Sequence, residues 1–296
     1  MRSRADVWKS EPTVTVSIAL CVDVVDRPLT PSLYYAILPE PSRYLAMGAG
    51  KYLLFQRWRI QMGYAGGKAG DGVYQKIINE IPPHDVYIEA FAGGASILKA
   101  LRPASSRIAI DVDGAQCEKL RVDLPGVTVI NGDAISLVPE LVAKYVGLRV
   151  FVYADPPYLG EVRKSKRPIY KHEMMDSTSH SLLLAMLQGL SCMVAVSGYW
   201  SSLYSSVLQG WRSIDFNAKT RVGVAREWLW MNYPEPMELH DYRYLGENFR
   251  EREKITRQKK RWNARLARMS NLQRFALLSS IAEFGDVDDR TDRASS

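Results

Sequence analysis

The stretch Val86-Tyr87-Ile88-Glu89-Ala90-Phe91-Ala92-Gly93-Gly94 decides how this chain folds. Five residues suited to a buried strand run almost directly into two adjacent glycines, and residues 95–102 that follow have helical character. Adjacent glycines where a strand turns into a helix let a ligand approach the backbone closely, and the helix N–H groups then face that ligand. The same stretch is equally compatible with a tight strand–helix turn that binds nothing.

The pattern of a strand followed by a helix repeats along the chain. Short apolar runs rich in β-branched or aromatic residues predict further strands at 107–111, 127–130, 149–154 and 192–197. The intervening stretches predict helices near 70–80, 114–123, 134–145 and 178–190. Strand runs without alternation, separated by helices, indicate a parallel sheet that is covered on both faces.

The end of this pattern is different. After a predicted helix near 200–209, two strands near 211–217 and 226–233 are joined only by Ala218–Ala225. This loop has no room for a crossover helix, so the two strands must be antiparallel. The predicted fold class is therefore α/β, a doubly wound, mostly parallel seven-stranded sheet with a terminal antiparallel hairpin.

Composition limits the class of protein. Of 296 residues, 47% are hydrophobic and 24% are charged, which excludes a wholly disordered or collagenous chain. Three cysteines without a CxxC pair support neither a zinc site nor a disulfide framework, and they fit a reducing, cytoplasmic setting. No apolar run approaches 18 residues, so we expect no membrane span. The net charge of +7 suggests a polyanionic partner.

The chain divides into three zones. Residues 1–61 have no consistent periodicity and are expected to be a poorly ordered extension, whereas residues 62–238 hold the predicted sheet. Residues 239–296 form a basic helical region, in which nine Lys/Arg stand against three Glu between 247 and 268. A last helix, predicted over Asn271–Phe284, is expected to bury its apolar side chains, Leu272, Phe275, Leu278 and Ile281.

Carboxylates follow the second and third predicted strands. Asp111 ends one strand and Asp113 comes just after it, and an acid at this position can accept hydrogen bonds from ribose hydroxyls. Asp133 follows the next strand and can accept a hydrogen bond from an adenine amino group. Asp111, Asp113 and Asp133 are also compatible with N-caps of the helices that follow.

The sharpest motif is Asp155-Pro156-Pro157-Tyr158, at the end of the fourth predicted strand. The two prolines fix the backbone and remove two N–H donors, which leaves a rigid turn rich in acceptors. The Asp155 carboxylate and the Pro156 carbonyl can then accept both protons of one NH₂ group, while Tyr158 offers a ring for a base to stack on. This arrangement suits an exocyclic amino group that must become a nucleophile.

These motifs together resemble the Dam-like DNA adenine-N6 methyltransferases, particularly their compact phage and prophage members, over roughly residues 62–238. Tyr64-Ala65-Gly66-Gly67-Lys68 resembles the N-terminal cofactor motif, and Phe91-Ala92-Gly93-Gly94 resembles the glycine motif. Asp111 matches the ribose acid, Asp133 the adenine-contacting acid and residues 155–158 the catalytic tetrapeptide. Ser197-Gly198-Tyr199, with Leu203-Tyr204, and Glu227-Trp228-Leu229-Trp230-Met231-Asn232-Tyr233 are similar to the family's later strands.

The resemblance implies a class I, Rossmann-like methyltransferase that moves a methyl group from S-adenosylmethionine to a flipped-out adenine in DNA, without a metal. It places Tyr64 and Lys68 at the methionine end of the cofactor or lining its pocket. It places Phe91, Gly93, Gly94, Asp111 and Asp133 in the cofactor site. The catalytic residues would be Asp155, Pro156, Pro157 and Tyr158, and the setting the cytoplasm of a bacterial or phage-infected cell, with a role in masking DNA from restriction.

The chain departs from the longer family members in one respect. Only residues 134–154 lie between Asp133 and the tetrapeptide, so the usual sequence-reading domain is absent. Two basic segments can contact DNA instead: a loop holding Arg163, Lys164, Lys166, Arg167 and Lys171, and the tail with Lys259, Lys260 and Arg261. Because phosphate contacts carry little sequence information, we expect short or relaxed sequence preference. A charged tail is also typical of a solvated helix face.

Two other functions remain open at this point. A methyltransferase with the same site can act on adenine in RNA or on another exocyclic amino group. A chain with this fold can also be a non-catalytic nucleic-acid-binding module, although the intact tetrapeptide and glycine motif argue against that.

Overall fold

The structure is a computed structural model that describes Lys68, residues 72–162, Met174, residues 176–220 and residues 223–293. Within the described residues, those up to Ser270 belong to one compact unit, and the last helix belongs to a second unit. The predicted extension over residues 1–61 lies outside the described residues. Its boundary with the predicted catalytic domain therefore stays a prediction.

One seven-stranded sheet forms the centre of the first unit, and its strand order is β3-β2-β1-β4-β5-β7-β6. The first five strands pair in parallel, whereas β7 runs antiparallel to both β5 and β6. This arrangement confirms the predicted fold class. The strands are β1 (Val86–Ala90), β2 (Ser106–Asp111), β3 (Thr128–Asn131), β4 (Val150–Ala154), β5 (Met193–Gly198), β6 (Arg212–Thr220) and β7 (Gly223–Met231).

Helices connect the parallel strands, as the alternation along the sequence predicts. They are α1 (Val73–Ile78), α2 (Ser96–Ala100), α3 (Gly114–Asp123), α4 (Ala134–Lys144), α5 (Ser177–Gln188) and α6 (Ser202–Val207), followed by α7 (Phe249–Ala267) and α8 (Asn271–Arg293). Side-chain caps begin several of them: Asp113 accepts from Ala115 N–H, Asp133 from Ile135 N–H and Asp176 from Ser179 N–H. These caps satisfy backbone donors that the first turn of a helix leaves unpaired.

The sheet is apolar on both faces. Alternate residues of a strand point to opposite faces, and in the inner strands both sets of residues are mostly apolar. Tyr87 and Phe151 belong to one buried cluster, with Ile77 and Leu120 from the helices. Val86, Ile88 and Val152 belong to the other buried cluster, on which Val138 and Leu183 pack. All of these side chains are less than 5% exposed. The uninterrupted apolar runs of the sequence thus mark strands that are buried on both sides.

The terminal hairpin is longer than predicted. Pairing between β6 and β7 continues to Thr220↔Gly223, so most of the expected Ala218–Ala225 loop belongs to the strands. The sequence did not predict this extension because Lys219, Thr220 and Gly223 carry no apolar signal. The antiparallel direction, which was predicted from loop length alone, is confirmed.

Helix α7 is fastened by polar contacts to the segment that precedes it in the chain, and none of its residues is buried. The Lys259 ammonium donates to the Tyr242 carbonyl at 2.8 Å, and the Arg252 guanidinium donates to the Gly246 carbonyl at 3.2 Å. Asn248 caps its first turn by accepting from Glu251 N–H at 3.0 Å. The basic face of α7 therefore stays open to solvent.

Helix α8 differs from the expectation in length and in burial. It extends to Arg293 rather than ending near Phe284. Its apolar side chains are not buried: Leu272 is 84% exposed, Phe275 67%, Leu278 45% and Ile281 58%. Helical spacing of apolar residues predicts which side of a helix is apolar, but it does not show whether another segment packs against that side. The prediction of burial is therefore wrong. None of the described helices combines the length and apolar character that crossing a bilayer requires.

A pair of stacked histidines, His84 and His240, predicts acid sensitivity of the fold. Their ring centroids lie 3.8 Å apart, and His84 is only 4% exposed. Burial, and then the neighbouring His240, lower the pKa of His84 to about 3, and burial lowers the pKa of His240 as well. The unfolded chain therefore binds protons below its ordinary histidine pKa of about 6.5 while the folded chain does not, so stability is lost as the pH falls.

We expect His84→Phe to reduce the pH slope of the unfolding free energy between pH 6 and 4 by roughly 1.4 kcal/mol per pH unit. Phenylalanine keeps a ring against Phe151 but carries no charge. Urea unfolding at several pH values measures the slope. An unchanged slope in the variant would show that His84 titrates normally in the folded state.

Candidate active site

The turn after β1 has an unusual backbone. Phe91, Gly93 and Ala95 have φ of 59°, 48° and 50°, so two non-glycine residues adopt the left-handed conformation within five positions. Such residues cost about 1–3 kcal/mol each and cluster at ligand sites. The turn is tied to the next strand because Ala92 N–H donates to the Ile110 carbonyl at 2.8 Å. The predicted residues Phe91, Gly93 and Gly94 thus form one rigid turn at the carboxyl end of β1.

Asp111 holds this turn from the end of β2. Its two oxygens accept the backbone N–H groups of Gly93 at 2.7 Å and of Asp113 at 2.8 Å, and the residue is 8% exposed. A carboxylate has about four acceptor positions, so each oxygen keeps capacity for one more donor. The structure therefore brings the predicted ribose acid into direct contact with the predicted glycine turn.

The acids beyond Asp111 have structural roles. Asp113 and Asp133 cap α3 and α4, which confirms the capping interpretation for both. Asp133 also accepts from the Ser136 hydroxyl at 2.8 Å and is exposed, and its contact with an adenine stays a prediction. Between the acids, Val112 is 49% exposed at the same edge of the sheet and presents an apolar surface there.

Gln116, on α3, was not predicted as a site residue. Its side-chain amide donates to the Gly93 carbonyl, so that Gly93 is held through both its N–H and its carbonyl. No pattern in the sequence pointed to this residue, because a single glutamine in a polar helix is unremarkable. Only the packing of α3 behind the turn assigns it this contact.

Asp155 lies at the end of β4, beside the glycine turn. β1 and β4 pair in register Ala90↔Ala154, and Asp155 N–H approaches the Ala90 carbonyl at 3.5 Å. The carboxylate oxygen Oδ1 accepts the Ser197 hydroxyl at 2.8 Å, and Ser197 in turn contacts the Tyr153 hydroxyl at 3.0 Å. The catalytic aspartate predicted from the sequence is thus oriented by side chains of β4 and β5.

Lys68 completes a buried charge cluster, which we define as Lys68, Asp155 and Glu227. The Lys68 ammonium lies 2.9 Å from Asp155 Oδ1 and 3.0 Å from Glu227 Oε2, and it also donates to the Tyr158 hydroxyl. The exposed fractions of the three charged side chains are 3%, 20% and 7%. Lys68 is therefore not a solvated loop lysine, and its contact with the cofactor stays a prediction.

The pKa values of the cluster follow from its burial. Burial opposes the charge of Lys68, but the nearby Asp155 and Glu227 raise its pKa well above the ordinary value, so it is held as a cation. Burial raises the pKa of Asp155, the Lys68 charge opposes that rise, and the Glu227 charge adds to it. The Asp155 carboxylate is thus a better proton acceptor than an exposed aspartate.

Glu227 lies in the segment of β7 that resembles the family's later strands, but it was not predicted as a site residue. A signal existed, because alternation along β7 assigns Ala225, Glu227, Leu229 and Met231 to one buried face. A carboxylate at a position that alternation assigns to the core needs a partner, since an unpaired buried charge is costly. The partner, Lys68, is 159 residues away and was not identifiable from the sequence.

Aromatic rings lie beside the tetrapeptide. Tyr158 is 8% exposed, and its ring centroid lies 4.4 Å from that of Tyr199 at an angle of 56°. Trp200, the next residue along the chain, is 52% exposed. Tyr158 therefore has its hydroxyl on Lys68 and its ring against Tyr199, and Trp200 adds an open aromatic surface just after β5.

Glu89 lies on β1 below the glycine turn and is 3% exposed. It accepts Leu98 N–H at 2.7 Å and the Tyr87 hydroxyl at 3.1 Å. Burial raises its pKa to about 8 against these two hydrogen bonds, so the carboxyl group is largely protonated at neutral pH. Glu89 joins β1 to the start of α2 as a neutral group.

The other predicted site residues fall in two groups. Lys259, Lys260 and Arg261 are exposed on α7. Tyr64 and the loop residues Arg163, Lys164, Lys166, Arg167 and Lys171 lie outside the described residues, so their roles stay predictions. In the part of the chain that the structure describes, no group of three or more His, Cys, Asp or Glu side chains is arranged to hold a metal ion.

Comparisons with known proteins do not identify this chain. No protein-family model and no curated protein matches the chain. Among solved structures, it is similar to a precorrin 8w decarboxylase of Methanobacterium thermoautotrophicum, with 14% identity over 57% of this chain and 94% of that one and a TM-score of 0.36. It is also similar to a dimethyladenosine transferase of Plasmodium falciparum, with 17% identity over 56% and 63% and a TM-score of 0.35.

A third similar structure is a DNMT2 mutant of Spodoptera frugiperda, with 16% identity over 50% of each chain and a TM-score of 0.36. The chain spans less than two thirds of the length of the second and third of these proteins. Likeness at this level carries no argument about function.

The raised pKa of Glu89 leads to a stability prediction. In the folded chain the pKa of Glu89 is about 8, above the ordinary value of 4.5. The stability that the protonated carboxyl group contributes is therefore fully present below pH 4.5 and is lost as the pH rises through 8. Because of Glu89, the unfolding free energy of the wild type should fall by roughly 1.4 kcal/mol per pH unit between pH 5 and 8. We expect Glu89→Gln, whose side chain mimics the protonated acid, to remove this fall. Urea unfolding over this range measures it.

Glu140→Gln is the matched control, because Glu140 is exposed on α4. This control should leave the slope at its wild-type value. If Glu89→Gln also leaves the slope unchanged, Glu89 is ionised in the folded chain at neutral pH and the interpretation of its burial is wrong.

Proposed function

We propose that this chain is an S-adenosylmethionine-dependent methyltransferase that methylates the exocyclic amino group of adenine in DNA. One observation carries the proposal: β1 and β4 are neighbours in register, so the glycine turn and Asp155 stand side by side at one edge of the sheet. Neighbouring strands are about 4.8 Å apart, a spacing that suits a donor and an acceptor bound next to each other. Ligands of open parallel sheets bind at the carboxyl ends of the strands.

The residues at this edge fit the cofactor. The left-handed turn at Phe91 and Gly93 lets a ligand approach the backbone, and Asp111 keeps acceptor capacity for ribose hydroxyls. The exposed Val112 offers an apolar contact for an adenine ring. When bound, S-adenosylmethionine supplies a methyl group on a sulfonium sulfur, which leaves with the electron pair of the broken carbon–sulfur bond.

The work of the chain's own residues is to hold the amino group that attacks. Oδ1 of Asp155 is occupied by Ser197 and Lys68, and among the described residues no group donates to Oδ2. Oδ2 and the Pro156 carbonyl can each accept a hydrogen bond from one N–H of the amino group. These hydrogen bonds favour a tetrahedral nitrogen, whose lone pair is localised and no longer delocalised into the adenine ring. As the nitrogen–methyl bond forms, the nitrogen becomes acidic and loses one proton towards Asp155, whose raised pKa suits this role.

Adenine is the proposed target because Asp begins the tetrapeptide, which resembles that of the adenine-N6 enzymes. A base in duplex DNA cannot reach such a pocket without leaving the stack, so base flipping is part of the proposal. Trp200 follows Tyr199 in the chain, and the Tyr199 ring packs against that of Tyr158, so the exposed Trp200 ring is the aromatic surface proposed to stack on an extruded base.

DNA affinity is proposed to come from α7. It carries eight Lys/Arg against two Glu, and none of its side chains is buried. Lys259 already donates to Tyr242, so its first role is to fasten the helix, whereas the exposed Lys260 and Arg261 are better placed for phosphates. Such contacts provide affinity without reading sequence, which supports relaxed specificity.

We expect tritium from labelled S-adenosylmethionine to enter adenine-containing DNA and not DNA made only of guanine and cytosine. Asp155→Asn should lower the rate by at least about 100-fold, because an amide cannot take the amino proton. Calorimetry should show that the Asp155→Asn variant still binds the cofactor. Transfer to adenine-containing RNA alone would favour the RNA alternative, and cofactor binding without transfer by the wild type would favour a non-catalytic module.

The exposed basic side chains of α7 allow its role in DNA binding to be tested. Replacing Lys260 and Arg261 together by Gln should weaken DNA binding and lower the slope of log K against log salt by about two, if each contacts one phosphate. Lys119 and Lys144, exposed on α3 and α4, provide the control pair. Fluorescence anisotropy over a salt series measures both, and an equal effect of the two pairs would show that α7 acts only through net charge.

A further inference from the structure

The buried charge cluster contains more negative charge than the proposed chemistry alone requires. Lys68 brings one positive charge, and Asp155 and Glu227 bring two negative charges, all on side chains at most 20% exposed. Burying a charge is costly, so a carboxylate that only stabilised the fold would be more cheaply replaced by an apolar residue. The second carboxylate therefore calls for a functional reason.

The geometry of the Lys68 ammonium supplies that reason. Its three N–H donors match three partners, which are Asp155 Oδ1, Glu227 Oε2 and the Tyr158 hydroxyl. Without Glu227, the lysine charge would be balanced by Asp155 alone, and the pair would be neutral. With Glu227, the ammonium is shared, and the cluster keeps a net negative charge beside the tetrapeptide.

We propose that Glu227 is a positioning residue for the proposed methyl transfer: it holds Lys68 on β7 and restores the negative charge that Lys68 would remove from Asp155. This inference rests on the proposed function. The attacking nitrogen gains positive charge as the methyl group arrives, so a site with net negative charge stabilises the transition state more than a neutral pair does. Glu227 acts through Lys68 and Asp155 and needs no contact with the base.

Other groups around Asp155 do not supply this charge. On β1, Glu89 is largely neutral because burial raises its pKa to about 8. The remaining neighbours are hydroxyl groups: Tyr153 on β4, Ser197 on β5, Tyr204 on α6 and Tyr158 of the tetrapeptide. Burial raises the pKa of the three tyrosines, so they stay neutral as well. Among the described groups facing Asp155, Glu227 is thus the second anion.

Glu227→Gln tests the proposal, because it keeps the shape and an acceptor oxygen but removes the charge. We expect kcat to fall about tenfold or more with little change in KM for DNA, since only the transition state loses stabilisation. The acidic limb of the pH–rate profile should move to lower pH by about one unit, because loss of a neighbouring anion favours ionised Asp155.

Two further variants sharpen the test. Glu227→Asp keeps the charge and should leave the acidic limb near its wild-type position. Lys68→Met removes the cation and should move the acidic limb in the opposite direction, to higher pH, in whatever activity remains. Glu238→Gln, at an exposed position beyond β7, is the matched control and should change neither kcat nor the limb.

A stability measurement provides a readout that does not depend on activity. Lys68→Met leaves two buried carboxylates without a cation, so it should lower the urea midpoint more in the wild type than in Glu227→Gln. Equal losses in the two backgrounds would mean that Glu227 and Lys68 are not coupled, which overturns the proposal.

The outcomes separate the two levels of inference. If the wild type transfers methyl groups and the acidic limb of Glu227→Gln stays in place, the role of Glu227 is wrong and the proposed function stands. If Glu227→Asp behaves like Glu227→Gln, charge is not what matters, and the proposal fails in the same way. If the wild type transfers no methyl group to DNA or RNA, the proposed function fails and takes the role of Glu227 with it.

Discussion

The pairing of β1 with β4 is the constraint on which the site depends. The register Ala90↔Ala154 brings the glycine turn and Asp155 to one edge, although 63 residues separate Phe91 from Asp155 in the chain. A slip of one residue would turn every side chain of the strand to the opposite face. Both strands are buried on both faces, so the two apolar clusters fix this register. The hydrophobic core thus determines the distance between the two halves of the site.

Strained backbone and buried charge both lie at this edge of the sheet, and local contacts stabilise each of them. The strained backbone at Phe91 and Ala95 is held at Gly93 between them, which donates its N–H to the Asp111 carboxylate and accepts a hydrogen bond from the Gln116 amide at its carbonyl. The buried charges of Lys68 and Asp155 are met by each other and by Glu227. Strain and buried charge both destabilise a fold, and their persistence together at the carboxyl ends of the strands is typical of a site where a ligand is bound.

Much of the fold was predictable from the sequence because its signals are local. Strand β1 matches its predicted bounds, as does α3, since apolar runs and caps act over a few residues. The antiparallel β7 followed from loop length alone. The exposed apolar face of α8 was not predictable, because covering a face depends on surfaces elsewhere in the protein. In the site, motifs revealed Asp111 and Asp155, whereas the contacts of Gln116 and Glu227 arise only when distant segments pack together.

The carboxylates at the strand ends show why a sequence motif at this edge is compatible both with a structural role and with ligand binding. Asp113 caps α3, and Asp111 fixes the turn, through the same acceptor geometry that a ribose hydroxyl would use. A helix that starts just after a strand needs an acceptor at that point, and a ligand bound there meets the acceptors that remain. A structural role for these carboxylates is therefore no argument against a ligand. Glu227 differs in kind: no helix or turn needs its charge, so its burial beside Lys68 is the feature of the site that folding alone explains least.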